Sequence, residues 1–532
     1  MMRRKRVLWG LAMLALVVGM GAWWRERNRP LPPLEVALWY WHQPFRLEPS
    51  DAKALKAAGV RQLFVRAGTF RKEGQTARLA LPEIWKGSSE GLEVHLVFNF
   101  DYTLVDAFEQ LPLEVLARSV ETQIVAERTR AEKAGIPVAG IELDFDCPTR
   151  LLPRYADFLH RLRPTLHSDH CALSITALPT WFGSSAVEKV QAETDFTVPQ
   201  YYEPQLPKTL TGFATVSRLK LLERGLAQAG RHGAPFYAGL PAYGHALIYD
   251  ERGQLLGTYR SMSALDAMAH PSFRLARAFP ADKEGKPATP ATAIGEEIYD
   301  FVATKPAPDG RGLGFHLLYD LPTPDLLMQH LATVRAERPR NCRGVILFRY
   351  PEPGELATLP LPSVLASLRG EHSQPDLRVQ FHVKPAPWEL IETNRTAARP
   401  PAHLSVSVTN IGNASTFLAP DAIEVTLIFD RPGFDSIAPG QFDAVEARLQ
   451  TDPAAPFDSA LRSSPARANL LRIRKFHLAA GETAIFGPLR LPPDSATQVH
   501  GEWTAKSPGN FTTLHGTIPP TVLTPGGPPA NH

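Results

Sequence analysis

Between Leu34 and about Gly370 the chain alternates eight short apolar runs with segments of helical period, and no other feature constrains its fold as much. The runs are Glu35–Trp41, Val60–Ala67, Glu93–Phe100, Val138–Phe145, Cys171–Leu178, Phe196–Tyr202, Phe236–Pro241 and Gly344–Tyr350. Segments such as Ser50–Ala58, Leu113–Ala134, Leu152–Leu162 and Val216–Ala229 repeat their apolar residues at helical spacing. Parallel strands need a crossover between them, and eight β-α alternations predict a closed (β/α)₈ TIM barrel. In such a barrel the functional residues gather where strands end and loops begin. A doubly wound open sheet fits less well, because Trp39-Tyr40-Trp41-His42 follows the first run where a Gly-rich phosphate loop would be needed.

The fourth run, Ala139-Gly140-Ile141-Glu142-Leu143-Asp144-Phe145-Asp146, carries three carboxylates on alternate positions. Successive side chains of a strand point to opposite faces, so Ile141, Leu143 and Phe145 pack one way while Glu142, Asp144 and Asp146 share the other. Burying several carboxylates together is costly unless they share protons, accept hydrogen bonds or hold a metal. That cost points to chemistry or binding at this strand's end.

The segment 140–146 resembles the D-G-I-D-L-D-W-E signature of the family-18 glycoside hydrolases, the chitinase-like barrels. Pro199-Gln200-Tyr201-Tyr202 resembles that family's M-x-Y-D at strand six, and Ala238-Gly239-Leu240-Pro241-Ala242-Tyr243-Gly244 its G-x-P-x-Y-G at strand seven. The resemblance covers roughly residues 34–370 and rests on three motifs in the right order, and the chain also resembles an uncharacterised bacterial domain family of this barrel type. The resemblance implies a polysaccharide or oligosaccharide substrate. The chain departs from the motif at Ala139, at Glu142 and at Asp146, which stands in place of the acid Glu. Asp withdraws the carboxyl by roughly 1.5 Å, and about 1 Å of misplacement can cost about a hundredfold in rate. Tyr202 replaces the strand-six Asp, and Phe348-Arg349 lacks the Trp expected at strand eight.

A glycosidase needs one carboxyl kept protonated and a second group as base or nucleophile. Asp146 is the candidate acid, Asp144 its tuning neighbour, and Glu203 or Asp101 the candidate base. Glu142, lower in the barrel, reads as a structural ion pair with Arg66. Trp39, Trp41, Trp181 and Phe70 suit sugar stacking, and His42, Gln200, Tyr201 and Tyr243 are candidates to line the pocket. His42 and His245 show no paired His/Asp spacing, so no metal and no cofactor is expected.

Met1-Met2-Arg3-Arg4-Lys5-Arg6 precedes an uncharged apolar run from Val7 to Trp24, which at ~1.5 Å per residue spans about 27 Å. This reads as an export signal. Without an A-x-A site or lipobox cysteine, an uncleaved single-pass anchor in the bacterial inner membrane is expected, with the globular part in the periplasm or outside the cell. Removal of the signal would leave a secreted protein. The net charge of +3 is scattered and excludes a nucleic-acid surface. Cys147, Cys171 and Cys342 are odd in number and read as free thiols.

The expected domains are a signal and spacer (1–33), the barrel (34–370) with an α+β insertion near 245–320, an Ig-like β-sandwich (371–518) and a disordered tail (519–532). Residues 246–259 read as a hairpin within the insertion, and Phe279–Thr292 as a mobile surface loop. Alternation at Leu377, Val379, Phe381 and Val383, and again at Leu404, Val406 and Val408, marks the change to β-structure after the barrel.

Overall fold

The computed structural model describes residues 30–202, 206–289, 297–306, 313–352, 354–385, 402–434, 436–449, 468–492, 497–509, 512–523 and 530–531. The expected membrane segment, Glu203 and part of the expected loop after Phe279 lie outside them. Among the described residues no helix is long and apolar enough to cross a membrane.

Eight parallel strands form a closed, TIM-like barrel: Glu35–Tyr40, Val60–Glu73, Glu93–Phe100, Val138–Asp144, Ala172–Ala177, Phe196–Pro199, Phe236–Pro241 and Cys342–Phe348. Each pairs with its successor, and the first pairs with both the second and the eighth, which closes the ring. Helices Pro49–Ala57, Leu113–Lys133, Leu152–Leu166, Leu219–Gly230, Pro324–Glu337 and Leu361–Arg369 are among those that follow the strands. The second strand runs past the barrel rim and folds back through Thr76–Ala80 as an antiparallel hairpin, so a hairpin stands where the other crossovers have a helix. Sequence periodicity ends this strand at Ala67. The continuation Thr69–Glu73 is held by register with the returning strand, a pairing that a local pattern does not encode.

On the fourth strand alternation works as expected. Ile141, Leu143 and Phe145 are buried on the outer face, where Phe145 meets Phe100, Phe108 and Tyr155 at ring distances of 4.8 to 5.1 Å. Gly140 is required on the inner face, because a Cβ there would stand 2.2 Å from the His95 ring. The barrel interior is filled by Ala37, Trp39, Phe64, Val97, Phe196, Val198, Tyr237 and Ile346.

After the seventh strand the insertion forms its own five-stranded antiparallel sheet, which includes the hairpin Ala246–Tyr249 and Leu255–Thr258. Phe279 and Pro280, expected in a loop, instead end the strand Phe273–Pro280 by pairing with Ile298 and Glu297. Two further five-stranded antiparallel sheets follow the barrel and share one apolar core, with Leu404, Val406 and Val408 from one and Ile423, Val425 and Leu427 from the other. The strand Thr513–Val522 continues past Pro519, where the composition points to a disordered tail. Its ladder with Gln498–Lys506 tolerates the prolines, because an edge strand can leave an amide unpaired. Phe417, Leu418, Ala419 and Ala422 pack into the core of the insertion, joining it to the two-sheet unit.

Candidate active site at the barrel mouth

The barrel ends in a layer of polar side chains contributed by five neighbouring strands: Thr69, Asn99, Asp144, Thr176 and Gln200. Thr69 pairs in register with Asn99 and Asn99 with Asp144. The Thr69 hydroxyl donates to Asn99 Oδ1 at 2.5 Å, the Thr176 hydroxyl to Asp144 Oδ1 at 2.7 Å, and Gln200 Nε2 to the same oxygen at 3.4 Å. Both donors therefore fall on one oxygen of Asp144. Burial, and then the neighbouring Asp146, push the Asp144 carboxyl up to about 7, against the lowering effect of its hydrogen bonds and of Arg66. Asp146 lies two residues beyond the strand with its side chain open to solvent, and protein atoms around it still displace enough water to raise its carboxyl. The two titrate as a pair, so the shift belongs to both.

Glu142 sits one layer deeper. It is fully buried, accepts the Trp39 indole N–H on Oε1 at 2.7 Å, and leaves Oε2 without a partner. Burial raises it to about 8, which favours the neutral acid at pH 7. The expected ion pair with Arg66 does not form. Arg66 instead donates from Nη2 to Thr69 Oγ1 at 2.8 Å, and its guanidinium lies 5.5 Å from the Trp41 ring centre.

Aromatic rings surround Phe348, at the end of the eighth strand. Trp41, Tyr243, Tyr202 and Trp39 stand 5.3, 5.1, 5.8 and 5.8 Å from it, and Tyr202 lies 5.9 Å from Tyr243. Tyr202 also feels Asp144, Glu142 and Asp146, which places it beside the acids. Strand parity carries the signal for Tyr202. Phe196, Val198 and Gln200 face inward, so position 202 does as well and position 201 does not.

Asp144, Asp146, Gln200, Trp41 and Tyr243 thus gather at the mouth. The remaining expected site residues lie elsewhere. Asp101 caps the helix Tyr102–Ala107, accepting from the Leu104 amide at 3.2 Å and the Thr103 hydroxyl at 2.6 Å, and it pairs with Arg71 at 3.5 Å. That engaged carboxylate is not a base for the mouth. Tyr201 points outward and is fully buried against Gly225, where a Cβ would come within 2.0 Å of its ring. Trp181 is fully buried and donates to the Cys147 carbonyl at 2.9 Å, so it packs the helical layer. Trp39 is buried as the donor to Glu142, and Phe70 is buried against Phe98 and Phe100. None of these four presents a face for stacking.

His42 turns away into a cleft of about 860 Å³ between barrel, insertion and the two-sheet unit, whose lining includes Tyr40, Glu352, Glu355, Leu418 and His477. Its Nε2 meets the Tyr350 carbonyl at 2.7 Å and its Nδ1 meets Glu352 at 2.5 Å. His245 follows the seventh strand with Nδ1 against the fully buried Asp320, which also accepts the Val216 amide at 2.7 Å. That His/Asp contact joins residues 75 positions apart, so sequence spacing carries no sign of it. Among the described residues no group of three His, Cys, Asp or Glu side chains is arranged to hold a metal. All three cysteines are buried and free.

Several solved structures are similar to this chain at low identity. The spore cortex-lytic enzyme SleL of Bacillus cereus is 14% identical, over 65% of this chain and 76% of its own, with a TM-score of 0.42. A glycoside hydrolase family 18 N-acetylglucosaminidase from Paenibacillus barengoltzii is 12% identical, over 63% and 100%, with a TM-score of 0.41. The C-terminal domain of a putative chitinase from Desulfitobacterium hafniense is 13% identical, over 64% and 100%, with a TM-score of 0.43. No curated protein sequence matches. Residues 109–274, which hold both mouth acids together with Gln200, Tyr202 and Tyr243, match the family model of a domain of unknown function, DUF3142.

Proposed function

We propose that this chain is a glycoside-hydrolase-like protein acting on an envelope or extracellular polysaccharide, with Asp146 as the proton donor and Asp144 as the group that tunes it. The observation that carries this reading is the Asp144/Asp146 pair, in which Asp144 is raised to about 7 beside an accessible neighbour, at a mouth walled by Trp41, Tyr202, Tyr243 and Phe348. A carboxyl pair that keeps a proton near neutrality can deliver it to a leaving glycosidic oxygen. Both donors to Asp144 fall on Oδ1, so a shared proton is directed to Oδ2. The choice of a glycan rests on the three motifs and their order.

Cleavage of a glycan panel by the full protein and by Asp146→Asn tests the reading. Wild-type cleavage that the variant loses supports it. Cleavage unchanged in the variant removes Asp146 from the chemistry, and a panel neither bound nor cut removes the glycan reading. A second reading, a glycan-binding barrel without turnover, is favoured by one observation: Asp146 is a methylene shorter than the Glu of the motif it resembles. Binding without cleavage, equal in both proteins, would establish it.

The N-terminal apolar run supports export, with residues 1–33 as an anchor or cleaved signal and the Ig-like unit beside the barrel on the far side of the membrane. Sequencing the N-terminus of membrane and soluble fractions separates anchor from signal. A mature chain starting after Trp24 in the soluble fraction would refute the anchor.

A further inference from the structure

Among the described residues, Arg66 is a mouth cation whose compensation is incomplete. Arg66 follows Phe64 by two positions on the second strand and shares its inward face, one layer above the apolar filling. Its Nη2 donates to Thr69, its Cζ lies over the Trp41 ring at 5.5 Å, and its Nε is buried with no partner among the described residues. Nη1 makes no hydrogen bond to any described residue, and no described carboxylate lies within ion-pair distance of the guanidinium. A partly buried charge held this way is costly, because water has been removed and no described carboxylate pairs with it.

The described neighbours supply the counter-charge only in part. Among the described residues the carboxyls whose field reaches Arg66 are Glu83 and Asp144, and burial raises each to about 7. Glu83 is already engaged by the Phe45 amide. Arg71, on the hairpin that continues the same strand, adds a field of the same sign, and Lys72 and Arg78 lie beside it in a rim groove of about 580 Å³. Glu73 pairs with Arg78 at 3.6 Å and Asp101 with Arg71 at 3.5 Å, so the four cations Arg66, Arg71, Lys72 and Arg78 outnumber the two paired carboxylates on this side of the mouth, while Asp144 and Asp146 stand on the fourth strand.

We infer that Arg66 is a specificity-determining residue that selects glycans carrying carboxylates, taking a sugar carboxylate on its open guanidinium edge with Arg71 reinforcing the field from the rim. This rests on the glycan reading above and narrows its substrate class. A guanidinium presents paired donors in a plane that matches a carboxylate, and a ring stacked on its face holds that plane still. Trp41 is placed to provide the stacking. A neutral sugar would leave the guanidinium uncompensated, so discrimination arises from the cost of the unpaired charge as well as from the hydrogen bonds the carboxylate accepts.

The test is calorimetric binding of the full protein to three oligosaccharides of equal length: oligogalacturonate, one carrying muramic-acid lactyl carboxylates, and neutral N-acetylglucosamine units. At least one anionic ligand should bind about tenfold or more tightly than the neutral one, with a preference that weakens as salt rises. Which anionic ligand binds reports whether the carboxylate belongs on the sugar ring or on a lactyl arm. Arg66→Gln should abolish the preference, costing the anionic ligand about 10- to 100-fold and the neutral one less than about threefold. Arg66→Lys keeps the charge without the planar fork, should retain part of the preference, and carries the test if Arg66→Gln does not fold. Equal or tighter binding of the neutral ligand, or a preference that survives loss of the guanidinium, overturns this inference alone. If no ligand of either kind binds, the glycan reading falls with it.

Discussion

Glu297 and Glu142 are both buried, with Asp144 half-buried above Glu142, and their surroundings treat them differently. Glu297, in the insertion, accepts the Gly509 amide on Oε1 at 2.8 Å and the Tyr299 hydroxyl on Oε2 at 2.7 Å, and the Leu418 amide donates to that same tyrosine oxygen at 3.2 Å. Every oxygen has a partner, and the network ties the insertion to the two-sheet unit. In the mouth, Glu142 has one oxygen unpartnered and Asp144 takes both of its donors on a single oxygen. All three are pushed up, to about 7, 8 and 7, with burial the largest cause. A raised carboxyl alone therefore does not mark a site. What separates these two regions is hydrogen-bond completeness; Glu83 also leaves an oxygen unpartnered, so the mark gains meaning only where it meets an open mouth that a substrate or a moving proton can use.

The strongest break of this contrast is a paired substitution. Asp146→Asn should lower turnover of a cleaved glycan by about 10²- to 10⁴-fold with an unchanged melting temperature. Glu297→Gln should do the reverse, leaving turnover per folded molecule intact and costing about 1–3 kcal/mol by denaturant titration, since an amide offers one acceptor where two donors must be met. If Glu297→Gln lost activity without losing stability, hydrogen-bond completeness would not separate the two regions.

Gly225→Ala probes the packed outer side of the sixth strand. The new Cβ meets the Tyr201 ring at 2.0 Å, so a loss of about 1–3 kcal/mol is expected. Unchanged stability would mean that Tyr201 is not seated there.

The pH dependence sharpens the contrast within the mouth. Activity that requires the proton of the Asp144/Asp146 pair should decline as pH rises through about 7, and Asp144→Asn should displace or remove that limb. A rate profile flat from pH 5 to 8 contradicts it.

The smallest effect is expected at Glu142→Gln. The folded carboxyl titrates near 8 and the unfolded one near its ordinary value, so the native state holds the extra proton between the two. Its contribution is fully present below about pH 4 and is lost as pH rises through 8. Glu142→Gln should match wild type within about 1 kcal/mol at pH 5 and become the more stable of the two above pH 8. Parallel stability curves across that range would show that Glu142 is not held neutral.

The eight barrel strands and the acid-bearing face were legible in the sequence because alternation and run length are local properties, fixed by neighbouring residues. The same rule, carried along the sixth strand, separates Gln200 and Tyr202 from Tyr201, although all lie within one motif. Asp101 shows a different limit. Its position after the third strand suggested a mouth acid, yet residues just beyond it supply the hydroxyl and the helix amide that engage it. The hairpin extending the second strand was hidden, since residues 68–80 pair by register and not by apolar pattern.

By itself, then, the sequence determined the barrel, the order of its strands and the face on which Glu142, Asp144 and Asp146 lie. Only the tertiary structure decided which side chains meet them. Trp39 reaches Glu142 from 103 residues away, and Thr176 and Gln200 reach Asp144 from other strands. The physical reason is that a carboxyl's protonation depends on desolvation and on the donors around it, and closing a barrel brings those donors from strands whose spacing in the chain carries no local signal.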